Sequence, residues 1–352
     1  MRKVDIIIVG SGIAGITLAW KFYQKQKSFI IISQPRLSSS SLVAPAVWNP
    51  IVFKRINPTW NASTLLDHLS LYQETEKTLQ VSLVQPYRIW HVLNSYDEEK
   101  LWLNKKELYP RFLGDIKWLD KNDYPTLKSS LKCGEVINAG RLNVAEYIYH
   151  SLQFFQSINA YVESRFYYDN LDIQESRVEY NGIMARYVVF CEGYLVKNNP
   201  WFDFVKLKPA KGEIVEIETK QSLLPENTII HRHISIIPNG KNRYLIGSNY
   251  DWVNLNEEIT PSIQQRFLLE FEELFDVSYE VIGHYAGIRP AADRRPVLGK
   301  HPKYSSLWIM NGLGTKGVLL APYCANILYY AMFESKIIDT EINVSRMLSK
   351  VN

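Results

Sequence analysis

Three glycines near the start of the chain have the spacing of a phosphate-binding turn. The pattern G-x-G-x-x-G is formed by Gly10-Ser11-Gly12-Ile13-Ala14-Gly15. It follows a β-branched run at residues 4–9, typical of a buried strand, and precedes apolar residues at helical spacing. Such a turn lets a pyrophosphate approach the backbone, and the helix start offers it free N–H groups and a partial positive charge. The context therefore predicts a dinucleotide bound by these six residues.

The next strand ends without the carboxylate that usually holds a ribose. Residues 29–32 form a short apolar run, which we expect to pair beside the first strand. Ser33 and Gln34 follow it, and as neutral groups they bind ribose hydroxyls more weakly than an acid does. A missing acid with Arg36 nearby also suits the 2′-phosphate of NADP. This unit predicts ribose contacts by Ser33 and Gln34 and leaves FAD and NADPH as alternatives.

A second glycine-rich loop opens a helix near the other end of the chain. Its residues are Gly312, Gly314, Thr315, Lys316 and Gly317. It lies between an expected strand at 307–310 and an expected helix at 318–333, so its helix start is a second electropositive end. A reduced flavin is a suitable partner, because negative charge develops near N1 and the C2 oxygen of its ring. The helix dipole and the nearby lysine would stabilise that charge.

Two further segments are expected to bring these loops and the cofactor together. Residues 42–50 are rich in small residues and proline, which indicates a loop laid along the cofactor through Ala44, Pro45 and Ala46. A buried strand at 187–190 ends in Cys191-Glu192-Gly193. Parallel-sheet proteins bind ligands at the carboxyl ends of strands, so these three residues are also predicted cofactor contacts.

The rest of the chain alternates between helical and strand patterns. Helices are expected at 61–83, 97–103, 144–155 with Asn143 as N-cap, and 261–274. Strands are expected at 87–92, 161–173, 178–180, 211–218, 229–238 and 243–250. The strands after residue 211 predict an antiparallel sheet whose core covers a pocket.

The composition limits the class of protein. A chain of 352 residues is too long for one core and suggests two domains. The net charge of +4 is too mild to indicate nucleic acid or a membrane surface. No apolar run approaches the ~20 residues of a membrane span. Three separated cysteines favour reduced thiols over disulfides or a metal site, and with no room before the first strand for a signal peptide we expect a cytoplasmic protein.

Together these motifs resemble the D-amino acid oxidase-like FAD-dependent oxidoreductases, which include glycine and sarcosine oxidases. The resemblance covers nearly the whole chain and rests on segments 10–15, 44–50, 190–193, 286–290 and 312–322. It implies FAD as the cofactor. It also implies an α/β (α+β) fold in which a Rossmann-like FAD-binding domain is interleaved with an antiparallel-sheet substrate domain. The expected FAD domain is 1–83, 140–205 and 284–352, and the expected substrate domain is 84–139 and 206–283.

The resemblance also assigns substrate residues. Arg289 stands where the amino acid oxidases bind a substrate carboxylate, and a planar guanidinium can pair with a carboxylate through two hydrogen bonds. A structural ion pair, for instance with Asp293, is the alternative. Ser235 replaces a carboxylate-binding tyrosine, Thr315 stands where a second arginine can occur, and Ala46 replaces a glycine of the flavin loop. These departures argue against simple glycine or sarcosine oxidation.

The implied reaction is oxidation of a carbon–nitrogen bond of a small amine or amino acid, by hydride transfer to flavin and hydrolysis of the imine. No side-chain base is obligatory if the amine binds neutral. Two alternatives stay open: a tRNA-modifying FAD oxidoreductase acting on a carboxymethylamino group, and a flavin-binding protein without turnover. His231 and His233 precede the predicted pocket strand, where surface positions on an edge strand are the expectation.

Overall fold

The computed structural model describes residues 1–34 and 39–350, with side chains through Leu348. The helices are α1 (Ile13–Gln24), α2 (Ser40–Val43), α3 (Ala62–Asp67), α4 (Ser70–Leu79), α5 (Tyr96–Leu108), α6 (Val144–Ser157), α7 (Pro261–Glu272) and α8 (Gly317–Phe333). Short 3-10 turns cover Phe53–Arg55, Tyr168–Asn170, Gly193–Asn198, Gly314–Lys316 and Val344–Lys350.

The strands form two large sheets, here called sheet A and sheet B, and one small hairpin. They are β1 (Arg2–Val9), β2 (Phe29–Ser33), β3 (Val47–Trp48), β4 (Ile51–Val52), β5 (Asn57–Pro58), β6 (Val84–Val92), β7 (Leu113–Leu119), β8 (Leu131–Leu142), β9 (Tyr161–Glu163), β10 (Leu171–Ile173), β11 (Val178–Tyr180), β12 (Ile183–Phe190), β13 (Ala210–Thr219), β14 (Thr228–His231), β15 (Ser235–Pro238), β16 (Arg243–Gly247), β17 (Tyr279–Arg289), β18 (Val297–Lys300) and β19 (Leu307–Asn311).

Sheet A is built on five parallel strands in the order β9-β2-β1-β12-β19. β18 pairs antiparallel with β19, and the β10–β11 hairpin pairs antiparallel with β12. Alternate residues of β1 enter two different cores. Ile6 and Ile8 pack with α1, α6 and α8, whereas Ile7 and Val9 pack with a second cluster that includes Phe202. Burial on both faces explains why β1 is continuously apolar from Ile6 onward.

Sheet B follows the order β17-β13-β16-β15-β14-β6-β8-β3, with β7 also paired to β8. Its neighbours are antiparallel except β14 and β6, which run parallel. Val215 on one face packs against α7 through Phe267 and Phe271. Ile214 on the other face belongs to a core shared with Ile51 of β4, in the segment that leads from sheet A. The mixed α/β fold with a parallel unit and an antiparallel sheet is as predicted.

Sheet membership alternates along the chain. β1 and β2 belong to sheet A, β6–β8 to sheet B, β9–β12 to sheet A, β13–β17 to sheet B, and β18 and β19 to sheet A. β17 is one continuous strand to Arg289, so the boundary expected at residue 284 falls inside it. The division into domains at particular residues stays a prediction. In the part of the chain that the structure describes, no helix is both long and apolar enough to cross a bilayer.

Two predicted elements are each divided in two. Two helices, α3 and α4, replace the single helix expected at 61–83. The amides of His68 and Leu69 bond to carbonyls three residues back, which tightens the chain into a turn, and the ring of His68 also bonds the Thr64 carbonyl at 2.8 Å. The run expected at 229–238 is β14 and β15, joined by a tight turn in which Arg232 N donates to Ile234 O.

Other element boundaries differ for local reasons. The strand expected at 161–173 is β9, a 3-10 turn and β10. α5 is longer than the expected 97–103, since Ser95 Oγ caps it by accepting from Glu98 N at 3.2 Å. The Asn143 N-cap is confirmed, because its Oδ1 accepts from Glu146 N at 3.3 Å.

Candidate active site

The first glycine loop is packed tightly on one side and open on the other. Gly10 has a φ of 105°, and a Cβ there would lie 2.5 Å from the carbonyl oxygen of Cys191. A Cβ on Gly15 would collide with the Gly10 carbonyl, so α1 can pack on the turn only with glycine at that position. A Cβ on Gly12 would meet Ser41 Oγ alone, at 3.1 Å. The space before α1 therefore suits a phosphate group.

The hydroxyl of Ser41, on α2, is a functional group that sequence reasoning missed. Its Oγ accepts a hydrogen bond from Ile13 N at 3.1 Å, at the start of α1. The available signal was the run of four serines at 38–41, since hydroxyls commonly satisfy the free N–H groups of a helix start. A run of serines is also typical of a turn, so the sequence did not indicate the short helix α2 or the role of the Ser41 hydroxyl.

The Ser33 hydroxyl stabilises the glycine loop through two hydrogen bonds from Ser11. Its Oγ accepts from Ser11 N at 3.2 Å and from Ser11 Oγ at 2.9 Å. Gln34 is exposed just beyond β2, and Arg36 lies outside the described residues. The ribose contacts of Ser33 and Gln34 therefore remain predictions, and Ser33 has an additional structural role in the turn.

The starts of α1 and α8 meet, although they are far apart in sequence. A Cβ on Gly317 would lie 3.4 Å from Cγ2 of Ile13. Gly312 and Gly314 have φ values of 72° and 56°, and Gly314 N donates to Pro290 O at 3.2 Å. Two electropositive helix ends and the end of β17 thus lie together.

The Lys316 ammonium bonds backbone carbonyls and no acid among the described residues. It donates to Asn49 O at 2.7 Å and to Ile51 O at 3.3 Å. Burial lowers the pKa of Lys316 to about 8. An ammonium has three N–H donors, so one remains for a further acceptor. Lys316 joins the Asn49–Ile51 segment to the start of α8, while its neighbour Thr315 is exposed.

The loop before β3 is held by its backbone. Pro45 O accepts from Arg141 Nε at 2.9 Å. Ala46 has a φ of 59°, in the left-handed region that favours glycine. The alanine therefore replaces a glycine at a position whose backbone conformation still suits glycine. Ala44 follows α2 directly. The three residues Ala44, Pro45 and Ala46 lie between α2 and sheet B.

The residues after β12 contribute in different ways. The Cys191 carbonyl closes against Gly10, and Gly193 O accepts from Asn311 Nδ2 at 2.9 Å. The Glu192 carboxylate accepts hydrogen bonds from Tyr168 Oη at 2.5 Å and from Asn199 Nδ2 at 2.8 Å. Burial raises the pKa of Glu192 to about 7.

Arg289 is a largely buried cation with no acidic partner in the described chain. Its Nη1 donates to Asn249 O at 2.9 Å and more weakly to Lys211 O at 3.4 Å, and burial lowers its pKa. The guanidinium lies over Gly212, where a Cβ would collide with it, and 4.7 Å from the centre of the Tyr250 ring. Nε and Nη2 bond no described residue, so this edge of the guanidinium is available to donate two hydrogen bonds to a carboxylate.

The structural ion pair named as the alternative for Arg289 is not seen in the described part of the chain, where its hydrogen-bond partners are carbonyl oxygens. Asp293, the suggested ion-pair partner, pairs with Arg346 Nη2 at 2.9 Å. Since β17 is paired with β13 as far as Arg289 and Ala210, the arginine is held by the sheet rather than by an ion pair.

Behind Arg289, buried charges secure its surroundings. Lys211 Nζ lies 3.3 Å from Glu213 Oε1, and these side chains are 2% and 1% exposed. Both also bond Thr260, Lys211 to its hydroxyl at 3.2 Å and Glu213 to its amide at 2.8 Å. Glu213 N donates to Asn249 Oδ1 at 2.7 Å. These bonds anchor the 249–260 segment, from which Asn249 and Tyr250 contact Arg289.

Ser235 contacts His231 and not Arg289. Its Oγ lies 2.9 Å from His231 Nδ1, and β15 is three strand spacings from β17, about 14 Å. The expectation of an edge strand for His231 is wrong, because β14 lies between β15 and β6. Its ring stacks on Phe53, which also stacks on His91, and burial lowers the pKa of His231 to about 3 and that of His91 to about 4. Both rings are therefore neutral near pH 7.

These features define a class of protein. The open turn at Gly12, the start of α1, the Lys316 donor and the second helix start would suit a bound dinucleotide. This arrangement is that of a dinucleotide-dependent oxidoreductase.

The chain belongs to the FAD-dependent oxidoreductase family. The family model described as "DAO: FAD dependent oxidoreductase" matches residues 5–331, and FAD is the cofactor, which resolves the choice between FAD and NADPH. Similar proteins include glycine oxidases. Glycine oxidase from Geobacillus kaustophilus is 21% identical over 343 residues, covering 91% of this chain and 90% of the relative.

Solved structures give the same fold. The crystal structure of the Geobacillus kaustophilus glycine oxidase aligns with a TM-score of 0.79 at 18% identity, covering 99% of this chain and 98% of that one. Iminodiacetate oxidase from Chelativorans sp. BNC1 gives 0.78 at 17% identity, covering 95% and 96%. An L-amino acid deaminase from Proteus vulgaris gives 0.77 at 12% identity, covering 98% and 97%.

Proposed function

We propose that the protein oxidises a carbon–nitrogen bond in an amine or amino acid that carries a carboxylate, and that Arg289 binds that carboxylate. The observation that carries this proposal is a largely but not fully buried guanidinium whose Nε and Nη2 have no partner among the described residues. Withdrawing a cation from water without a counter-ion is costly, and a bound carboxylate would offset that cost. The names of the similar proteins, glycine oxidase, iminodiacetate oxidase and L-amino acid deaminase, support the same substrate class.

The chain's own residues would orient the substrate. FAD, when bound, supplies the hydride acceptor. Asn249 O fixes Nη1 of Arg289, so the opposite edge of the guanidinium faces the carboxylate. No side-chain base is required if the amine binds neutral.

The cofactor contacts are proposed at the following residues: Gly10, Ser11, Gly12, Ile13, Ala14, Gly15, Ser33, Gln34, Ala44, Pro45, Ala46, Cys191, Glu192, Gly193, Gly312, Gly314, Thr315, Lys316 and Gly317. Thr315, exposed beside Lys316, is also a proposed substrate contact. Ser235 is a weaker proposal, since its hydroxyl is engaged by His231. The three cysteines are buried and unpaired, which supports the reducing cytoplasm as the location.

The test is reduction of the bound flavin by candidate substrates without oxygen. Arg289→Ala should keep fold and flavin, yet lose about 3 kcal/mol of transition-state stabilisation, or roughly a hundredfold in rate, toward a carboxylated amine. Arg289→Lys should recover only part, because an ammonium lacks the planar fork. The decarboxylated analogue of the same amine serves as the control. Equal losses with both substrates, or joint loss of flavin and stability, would show that Arg289 is structural.

A further inference from the structure

Arg289 is the inner end of a column of stacked planar groups that reaches the surface. The Tyr250 ring lies 4.7 Å from the guanidinium carbon, and the Trp252 ring stacks on Tyr250 at 5.6 Å with 18° between the planes. Tyr250 is 50% exposed and Trp252 is 64% exposed. We call Arg289, Tyr250 and Trp252 the aromatic column. The two exposed rings form a contiguous apolar surface beside the Arg289 cation, and contiguous exposed apolar surface marks binding sites more than scattered single residues do.

The aromatic column is held rigidly. Asp251 is paired with Lys211 through both backbone groups, Asp251 N to Lys211 O at 3.0 Å and Lys211 N to Asp251 O at 2.8 Å. The Asp251 carboxylate accepts from Val253 N at 2.8 Å and Asn254 N at 2.9 Å, which closes a tight turn around Trp252. These bonds fix the backbone that carries both rings, which reduces the entropy lost when a ligand stacks on them.

We propose that the aromatic column is the specificity surface of the substrate site, and that it selects a carboxylate-bearing amine whose side chain is a planar ring. This inference rests on the proposed function, since it takes Arg289 as the carboxylate anchor. With the carboxylate on the free edge of Arg289, the rest of the substrate would lie close to Tyr250, whose ring contacts the same guanidinium in the segment that follows β16.

Charge and shape both favour that occupant. The face of Tyr250 is already polarised by the Arg289 cation, so a ring carrying no positive charge is preferred beside it. Trp252 has no aromatic neighbour other than Tyr250 among the described residues, so one face of its indole is available for stacking. A substrate as small as glycine would leave these rings unused, and the departures at Ser235 and Thr315 point in the same direction.

The experiment compares two inert carboxylates that lack the amine, phenylacetate and acetate. Their dissociation constants are measured by calorimetry on the FAD-loaded protein, for wild type and variants. The wild type should prefer phenylacetate, and Trp252→Ala should reduce the phenylacetate-to-acetate preference about five- to tenfold, the size of one aromatic stacking contact. Trp252→Phe should restore most of the preference. Trp118→Ala, a similarly exposed tryptophan on β7, is the matched control and should leave the preference unchanged.

Two outcomes would overturn the inference in distinguishable ways. If phenylacetate binding requires Arg289 but the preference is the same in Trp252→Ala and wild type, the column is not a specificity surface and the proposed function survives. If wild type binds neither carboxylate, or binds both equally well after Arg289→Ala, the carboxylate anchor fails and the column fails with it. A change of oligomeric state in Trp252→Ala with an unchanged preference would assign the rings to a protein interface and reject the proposal.

Discussion

The proposed cofactor site on sheet A and the proposed substrate site on sheet B are built mainly from different kinds of groups. At the carboxyl edge of sheet A the glycine turn is shaped by backbone: Gly10 and Gly15 pack on carbonyls, and Gly12 leaves a space before α1. On sheet B the contacts are side chains, with Arg289 lying over Gly212 and under Tyr250. A backbone site tolerates few residue types, whereas a side-chain site depends on what its neighbours leave uncovered.

The comparison shows where each site can change. Any residue that fits the turn preserves a backbone site, so the nucleotide motif recurs across many proteins with different chemistry. A substitution at one residue on a neighbouring strand can change the shape or the charge of the side-chain site. Three predictions, from the largest expected effect to the smallest, test this difference between the two sites.

The largest effects are expected at the glycines of sheet A. Gly12 has a φ of −71°, which valine also adopts, so Gly12→Val should fold but occupy the pyrophosphate space and lose FAD. Gly15→Val should fail to fold, because its Cβ would collide with the Gly10 carbonyl. Far-UV circular dichroism and the ratio of flavin to protein absorbance measure the two effects separately. A Gly12→Val protein that retains one FAD per chain would reject the assignment of that space.

An intermediate effect is expected from a single methyl group on sheet B. Gly212→Ala should displace the Arg289 guanidinium and slow flavin reduction by a carboxylated amine about ten- to a hundredfold, or roughly 1.4 to 2.8 kcal/mol, with FAD retained. Gly114→Ala on β7 is the matched control, since its Cβ would meet neighbours at an ordinary 3.4 Å. Rates are measured by stopped flow without oxygen. Full activity in Gly212→Ala would mean that the guanidinium need not lie where the structure has it.

The smallest effect concerns Glu192, the carboxylate that follows β12 at the edge of sheet A. Burial raises the pKa of Glu192 to about 7 from an ordinary 4.5, so the folded chain binds its proton more tightly than the unfolded chain. That stabilisation is present below about pH 4.5 and is lost as the pH rises through 7. Relative to wild type, Glu192→Gln should therefore gain about 2 kcal/mol of unfolding free energy between pH 5 and pH 7.

Urea unfolding at the two pH values measures this gain, and Asp172→Asn, on the β10–β11 hairpin, serves as an exposed control. A pH-independent difference between Glu192→Gln and wild type would mean that the Tyr168 and Asn199 contacts hold Glu192 ionised. In that case a side-chain charge, and not only backbone, would shape the edge of sheet A.

Most of sheet A could be predicted from the sequence, and the reasons are local. β1, α1 and β2 were placed correctly because a buried parallel strand is continuously apolar and a glycine turn has a fixed spacing. The start of α8 was found by the same reasoning. Ser41 was missed because a hydroxyl that caps another segment's helix leaves only a serine-rich turn in the sequence.

The side-chain site was only partly predictable. The family resemblance proposed Arg289, but only the structure shows that Asp293, the suggested ion-pair partner, pairs with Arg346. The edge-strand position expected for His231 was wrong because strand order in a sheet is set by pairing over long sequence separations. The buried ion pair of Lys211 and Glu213 could not be predicted from the local sequence, because charged residues in a strand usually face water.

The sequence by itself determined the strand, glycine turn and helix of β1 and α1 and the glycine loop that opens α8, because these features follow from residue types within a few positions of each other. The role of Arg289 toward a carboxylate was implied by the family resemblance and stays a proposal. Only the tertiary structure decided that the two helix starts meet at Ile13 and Gly317, that Gly212 leaves room for the guanidinium, and that Tyr250 and Trp252 stack beyond it. These facts depend on the register between strands and segments far apart in the chain, and that register is set by burial of whole sheet faces rather than by any short pattern.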